Sequence, residues 1–322
     1  LYQHIINYTL FKMAVAVKEN LKIRKKGTWK KEISFAIVHL LPLGAIWTGA
    51  TWFDWTVCAF LYVWRMFWVT GGYHRYFAHR SYNTSRWFQF LIAFFAQTSA
   101  QKGALWWASH HRHHHRNSDT LKDPHSMLHF GFWYSHVGWI IGSDFKNTDF
   151  KVISDYSKYP ELRWLNKNYL VPPVVLALTV MALGGIVNGG SILAMFTTAG
   201  FSTLFIGFFL STIILYHATF SINSIMHKFG KQRYETGDES KNSVWLALLT
   251  LGEGWHNNHH YYETSARQGF YWWEVDLTYY GLKFMSMIGL IWDLKPVPKH
   301  IKESRNKQEA KELKEQFKNQ VA

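Results

Sequence analysis

Cysteine is almost missing from this 322-residue chain, Cys58 being the only one. A single thiol excludes an intramolecular disulfide and any cysteine-held iron–sulfur cluster, and its place in an apolar run makes it an ordinary small hydrophobe. No HPGG haem signature of a fused cytochrome b5 occurs in these residues. Acidic residues number 21 against 35 Lys and Arg, leaving a formal charge of +14, and residues 170–223 lack Asp, Glu, Lys and Arg altogether. That charge-free stretch is the strongest membrane signal in the chain. Neither basic end carries a nucleic-acid-binding motif, and both flank apolar segments, which points the positive charge at a membrane surface and not at nucleic acid. A secretory signal is not evident either: a mixed-charge stretch precedes the first apolar run and no small-residue cleavage site follows it. The first hydrophobic segment is therefore expected to stay as an anchor.

What is present is apolar and aromatic. Hydrophobic residues make up 48% of the chain, with 17 Trp, 17 Tyr and 24 Phe, yet the mean hydropathy is only −0.14. A membrane part joined to a sizeable polar part gives that average. Runs of spanning length cover 33–51 and 55–71, separated by a turn with Asp54, and 170–187 and 192–216, joined by Asn188, Gly189, Gly190 and Ser191. The predicted architecture is an all-α membrane protein with four transmembrane helices in two hairpins and a cytoplasmic helical cap. Residues 1–32 form a basic cytoplasmic segment, 33–298 the membrane domain and 299–322 a polar tail with a solvated helix. The Asp54 and Asn188 connections carry no Lys or Arg, whereas both ends and residues 74–167 are rich in them, so the positive-inside rule places these on the cytoplasmic side. Arg65 sits inside the second run and must face protein or water, in an ion pair or a functional contact. The apolar segment 87–100 is too short to cross and is expected at the interface.

Eighteen histidines are far more than core packing requires, and they are clustered. His74 and His79 close the second run; His111, His114 and His115 form one HxxHH pattern; His256, His259 and His260 form another. On a helix, residues at i, i+3 and i+4 share a face, so each HxxHH can aim three imidazoles at one point. His74 and His79 are about 140° apart on a regular helix and need a helix end or a second metal to converge. Asn223 and His227, four apart after the last run, add an imidazole and an amide able to hold a water. Nine candidate imidazoles exceed one coordination sphere, so two metals are the economical reading, and the ligand type alone admits Zn, Cu, Fe or Ni. His39 and His217 read as hydrogen-bonded helix residues, His4 and His300 as solvated. His110, His113, His125, His129 and His136 read as supporting groups.

The three groups HRYFAH, HRHHH and HNNHH, with apolar hairpins before the second and third, resemble the three-box membrane fatty acid desaturases, above all the acyl-CoA Δ9 type. The likeness runs over about 33–298 and includes the Asp123-Pro124-His125-Ser126 sequence, Gly131 through Trp139, the Asn223 to His227 element and Gly252-Glu253-Gly254-Trp255. The resemblance implies two irons held by His74, His79, His111, His114, His115, His227, His256, His259 and His260, with Asn223 holding a water; zinc, which also takes nitrogen ligands readily, is the expected replacement in overexpressed protein. It further implies O2 as co-substrate and a hydrophobic tunnel that bends a fatty acyl chain beside the metals. The sequences around Ser265 to Gly269 and Trp272 to Asp276 are similar to bacterial branches.

The chain departs from the animal pattern where an Arg-Asp pair and a basic pair engage CoA: those places read Ser109-His110 and Gly142-Ser143-Asp144-Phe145. Lys102, Arg112, Arg116, Lys122 and Lys146 are near enough in sequence to compensate. Acyl-CoA is the leading expectation for the carrier and acyl phospholipid the alternative. Electrons must come from an external donor such as a cytochrome b5, ferredoxin or rubredoxin-type protein, with Lys228, Lys231 and Arg233 as candidate docking cations. Trp106, Trp107, Trp133, Trp139, Trp255, Trp272 and Trp273 are candidates to wall the tunnel or to form an interfacial belt. A hydroxylase on the same scaffold and a membrane metal-binding or transport protein remain as other readings.

Overall fold

The structure is a computed structural model and describes residues 29–142 and 147–321. The basic residues before Trp29, His4 and the Ser143 to Lys146 segment, which bear on the expected tail and carrier contacts, lie outside them. Helix α1, Trp29–Leu40, ends at a 3-10 turn, Leu41–Gly44, and a short helix, Ala45–Thr48, follows. Pro42 has no N–H to continue the ladder, so the expected straight span over 33–51 is broken there. Helix α2, Trp52–Trp68, opens with a reciprocal cap: Thr51 Oγ1 accepts from the Asp54 N–H at 3.3 Å and the Asp54 carboxylate accepts from the Thr51 N–H at 2.7 Å. Asp54 thus belongs to the first turn of the helix, not to the connection before it. The chain then passes into a π-helix, Val69–Ala78.

Helix α3, Arg86–Gln97, buries Phe88, Ile92, Ala93 and Ala96 against Trp68, Tyr73 and Phe77. Each large side chain removed from water there stabilises by roughly 1.5–3 kcal/mol. Helix α4, Ala104–Asn117, begins where two distant side chains satisfy its free amides: Gln97 accepts from Ala104 N at 3.1 Å and Asn166 from Trp106 N at 2.8 Å.

Helix α5, Val171–Gly189, carries Pro172 and Pro173 in its first turn, where a missing N–H costs nothing, and ends at left-handed Gly190, φ 74°. Helix α6, Thr198–Ser224, returns after a short 3-10 turn and contains a π segment at Leu204–Leu210. At 19 and 27 residues, α5 and α6 are long and apolar enough to cross a membrane; the apolar stretch Ile33–Thr48 is shorter. Leu61 of α2, Val180 of α5 and Phe208 of α6 share one buried cluster. The tips of both hairpins are tied together, since Asn188 Nδ2 donates to Asp54 Oδ1 at 3.0 Å.

Arg65 faces inward and is fully buried. It has no carboxylate partner among the described residues; it donates to the Thr212 hydroxyl at 2.7 Å, to the Ser211 hydroxyl and to the Leu61 carbonyl at 3.1 Å. The ion pair considered from sequence is replaced by hydroxyls and carbonyls.

Beyond the end of α6 lie helices α7, His256–Tyr261, and α8, Leu277–Met287. The only sheet among the described residues is the antiparallel pair Asn83–Thr84 with Ile291–Trp292, a small exception to the all-α expectation. The polar C-terminal segment is not simply solvated. Tyr234 and Tyr271 donate to the Lys302 carbonyl, Tyr261 reaches Ser304 at 2.6 Å, and Ala310 of α9, Lys307–Val321, is buried.

Candidate metal centre

The π-helix resolves the awkward spacing of the first box. The His79 N–H donates to the His74 carbonyl at 3.1 Å, a bond across five residues, and this wider winding brings residues five apart onto one face. Their rings lie 4.8 Å apart.

Helix α4 presents the second box and α7 the third. The α7 amides of Asn257 and Asn258 are capped by Asn242 Oδ1 at 3.0 and 3.2 Å. Asn257 Oδ1 in turn accepts from the amides of Arg233 and Tyr234, both at 2.8 Å. The two asparagines inside HNNHH are therefore struts that hold the box, a role that its histidine spacing hides.

All nine histidines come together, in two groups whose ligand atoms lie within 4.8 Å of one another: His74, His79, His111, His115 and His259, and His114, His227, His256 and His260. The expectation that one HxxHH aims three imidazoles at one point is corrected. In each box the i and i+4 histidines share a group while the third crosses to the other, because α4 and α7 run between the two groups and present opposite flanks.

Nε2–Nε2 separations inside the first group are 2.9 Å for His79 to His111, 3.0 Å for His74 to His259 and 2.9 Å for His259 to His115. Neighbouring nitrogens around one ion at about 2.1 Å would stand about 3 Å apart. The opposite ring nitrogens are held from behind. His74 Nδ1 faces Glu253 at 2.5 Å, His114 faces Asp123 at 3.0 Å, His227 faces Asp119 at 2.8 Å and His260 faces Asp238 at 2.6 Å. A carboxylate behind Nδ1 keeps the proton there and leaves Nε2 as a lone pair.

The electrostatics agree. Burial, reinforced by neighbouring imidazoles, holds His79, His111, His115, His256 and His259 well below the usual histidine range. Burial also pushes His260 down to about 4 in spite of Asp238. His114 goes the other way: burial opposes its protonation, but Asp123 outweighs it and raises the group. Converging neutral nitrogens have no hydrogen to share, and a cation is what satisfies them. The donor set fits two metal ions.

A cavity of about 770 Å³, its open mouth included, lies beside the first group, walled by Phe35, Trp106, Trp107, Trp139 and Phe220, with Lys102 and His110 also on its lining. A smaller one continues beyond, lined by Met66, Val69, Thr70 and Ile222, and the two share Trp107, His111, Thr219 and Asn223. The Asn223 amide makes no hydrogen bond among the described residues. Of the candidate tryptophans, Trp255 is buried and donates to the Val275 carbonyl at 2.8 Å, while Trp133, Trp272 and Trp273 are exposed. Of the candidate phosphate-reading cations, Lys102 lines the larger cavity, Lys122 is exposed, and Arg112 is held by Asp155, Phe77 and Ala78 elsewhere.

The profile of a known family, fatty acid desaturase, matches residues 50–283. The chain belongs to the fatty acid desaturase family. It is 35% identical over 294 residues to the sn-1 stearoyl-lipid 9-desaturase of Synechocystis sp., covering 89% of this chain and 86% of that protein. Similarity to the corresponding enzyme of Anabaena variabilis is 34%, over 83% of this chain and 93% of that one. The acyl-CoA C20 Delta5-desaturase of Anemone leveillei is 32% identical, over 89% of both chains. Within this desaturase, sequence reasoning missed the carboxylates behind the rings. Asp123 and Glu253 stand in motifs that were already noted, whereas Asp119, Asp238 and Glu263 carry no local signal.

His39, His217 and His136 do not join the two groups. They form a hydrogen-bonded row, His39 Nε2 to His217 Nε2 at 3.1 Å and His217 Nδ1 to His136 Nε2 at 3.0 Å, which ends at Ser224. His113 meets Asp149 at 3.1 Å, His110 the Trp106 carbonyl at 2.8 Å, and His125 lies 3.7 Å from Asp123.

Proposed function

We propose that this desaturase introduces a cis Δ9 double bond into a saturated acyl chain carried on a membrane glycerolipid. The observation that supports it most is the pair of joined apolar cavities meeting at Trp107, His111 and Asn223, beside both histidine groups. The nine histidines bind two irons and Asn223 holds a water at the second, four-histidine site. Iron supplies the O2 activation that removing hydrogen from an unactivated methylene demands. The chain's own residues do the rest: the tryptophan walls immobilise the acyl chain and exclude water, and the buried carboxylates keep the imidazoles aimed. Hydrogen removal without oxygen insertion distinguishes this reading from a hydroxylase.

The lipid carrier is favoured by the absence of the Arg-Asp pair at Ser109-His110 and by relatives named as lipid desaturases. Acyl-CoA is the second reading, supported by Lys102 on the cavity lining and by a relative named as an acyl-CoA desaturase. In this proposal the apolar runs 33–51, 55–71, 170–187 and 192–216 make four spans, residues 33–298 form the enzyme domain, and both ends and the metal centre face the cytoplasm. Purified protein loaded with iron and given a reconstituted electron donor is offered a stearoyl glycerolipid and stearoyl-CoA separately. A Δ9 product from the lipid alone supports the reading; product from stearoyl-CoA alone overturns the carrier, and an added oxygen overturns desaturation.

A further inference from the structure

Four of the carboxylates behind the histidines are buried, their side chains 8% exposed or less, but Glu263 is 48% exposed and faces two rings at once, His115 Nδ1 at 3.2 Å and His79 Nδ1 at 3.6 Å. Both rings belong to the five-histidine group. Glu263 stands in a polar surface cleft with Arg80, Arg112 and Arg116. Here, among the described residues, a carboxylate supporting the histidine groups opens directly to solvent.

The cleft is rimmed by positive charge. Arg80 is 61% exposed, Arg116 is exposed and makes no ion pair among the described residues, and Lys295 is close enough to Arg80 for that charge, after burial, to help lower its own proton affinity. Asp155 is shared between Arg80 at 3.5 Å and Arg112 at 2.8 Å, and Glu263 lines the same cleft. The surface expected from sequence is less suited. Lys228 and Lys231 are exposed, but Arg233 is taken by Glu274, and the neighbouring ligand candidate His227 is backed by buried Asp119.

We infer that the Arg80–Arg116 cleft is where an acidic one-electron carrier protein docks, with His79 and His115 as the entry to the metal centre. The inference rests on the proposed desaturation, which consumes two electrons for each double bond. Each docking oxidises the carrier by one electron and passes that electron inward, so two reduced carriers dock in turn. Carboxylates around the carrier's redox group meet the arginine rim, which steers encounter and weakens with salt.

The test uses the full chain in lipid nanodiscs, with a plant-type [2Fe–2S] ferredoxin and the soluble domain of cytochrome b5 as probes, and measures their binding at about 50 and about 300 mM salt. The double variant Arg80→Glu/Arg116→Glu is expected to weaken binding of a probe by about tenfold or more at low salt and to flatten its salt dependence. Lys228→Glu/Lys231→Glu is expected to stay within about twofold of the parent. Equal metal content and thermal midpoint in the variants show that the charge changes leave the centre intact. Equal or greater weakening by the lysine pair overturns the inference, as does a parent protein that binds neither probe at low salt. Binding is read without substrate, so a cleft that docks the probe in a protein that forms no double bond leaves the inference standing and removes the desaturation reading.

Discussion

At the scale of single residues, the two groups make separable demands. His115 has its Nε2 in the five-histidine group and His227 in the four-histidine group, and truncating either removes a nitrogen that no neighbour can replace. His115→Ala and His227→Ala are each expected to lower desaturation by at least about a hundredfold and to bring bound iron below two per chain, checked by product analysis and metal quantification on the same sample. Asn223→Ala should behave differently: iron content stays near that of the parent while turnover falls, because the amide is proposed to hold a water and not the metal. A loss of iron as large as in His227→Ala would contradict that role. Six of the nine imidazoles were legible because they stand three or four residues apart within HRHHH and HNNHH, a local spacing that the sequence displays. The groups that aim them were not. Asp119 reaches His227 across 108 residues, and nothing in a linear pattern marks such a pair until the chain has folded.

At the scale of elements, the charge-free run 170–223 yielded α5 and α6, because its prolines fall in the first turn of α5, where they are tolerated, and about twenty uncharged apolar residues leave few alternatives to a helix. The first run was less legible, since Pro42 interrupts the ladder while leaving the hydropathy untouched. The π-winding of Val69–Ala78 was hidden for a similar reason: it changes the hydrogen-bond partner by one residue and leaves no mark in composition. Its packing gives a test. A Cβ on Gly72 would stand 2.9 Å from Ile92 Cγ2 and 3.4 Å from Ala96 Cβ of α3, in a fully buried contact. Gly72→Ala is expected to cost about 1–3 kcal/mol, seen as a lower thermal midpoint with reduced iron retention; an unchanged midpoint would show that α3 yields without strain. His39, whose Nε2 tethers α1 to His217 of α6, is a contrasting case. His39→Phe removes two partly buried hydrogen bonds, to the Phe35 carbonyl and to His217, a loss of about 1 kcal/mol each, and is expected to leave most of the desaturase activity in place.

At the scale of the whole molecule, burial of so many histidines ties stability to pH. An unfolded histidine titrates near 6.5, while burial holds the folded His79, His111, His115, His256 and His259 well below that and His260 at about 4, His114 alone being raised by Asp123. Between those values the unfolded chain binds more protons than the folded one, so stability rises with pH across this window and is lost as pH falls through it. Thermal unfolding of the metal-free protein is therefore expected to show a midpoint that declines steadily from about pH 6.5 toward pH 4; a midpoint independent of pH there would mean that the imidazoles are less buried than they are described.

The crossing of each HxxHH between the two groups binds the fates of the metals together. In the proposed two-iron centre, helix α4 would give His111 and His115 to one ion and His114 to the other, and α7 would give His259 to the first and His256 with His260 to the second. Whichever ion arrives first pays the cost of fixing both helices, and the second finds its nitrogens already in place. Such shared ordering is positive cooperativity, and linkage makes it reciprocal. Titrated with less iron than it can hold, the protein should partition into empty and doubly loaded molecules, with few carrying one ion, as native mass spectrometry would count them. By the same reciprocity, a ligand lost from one group should drag iron from the other, and occupancy should not stop at one.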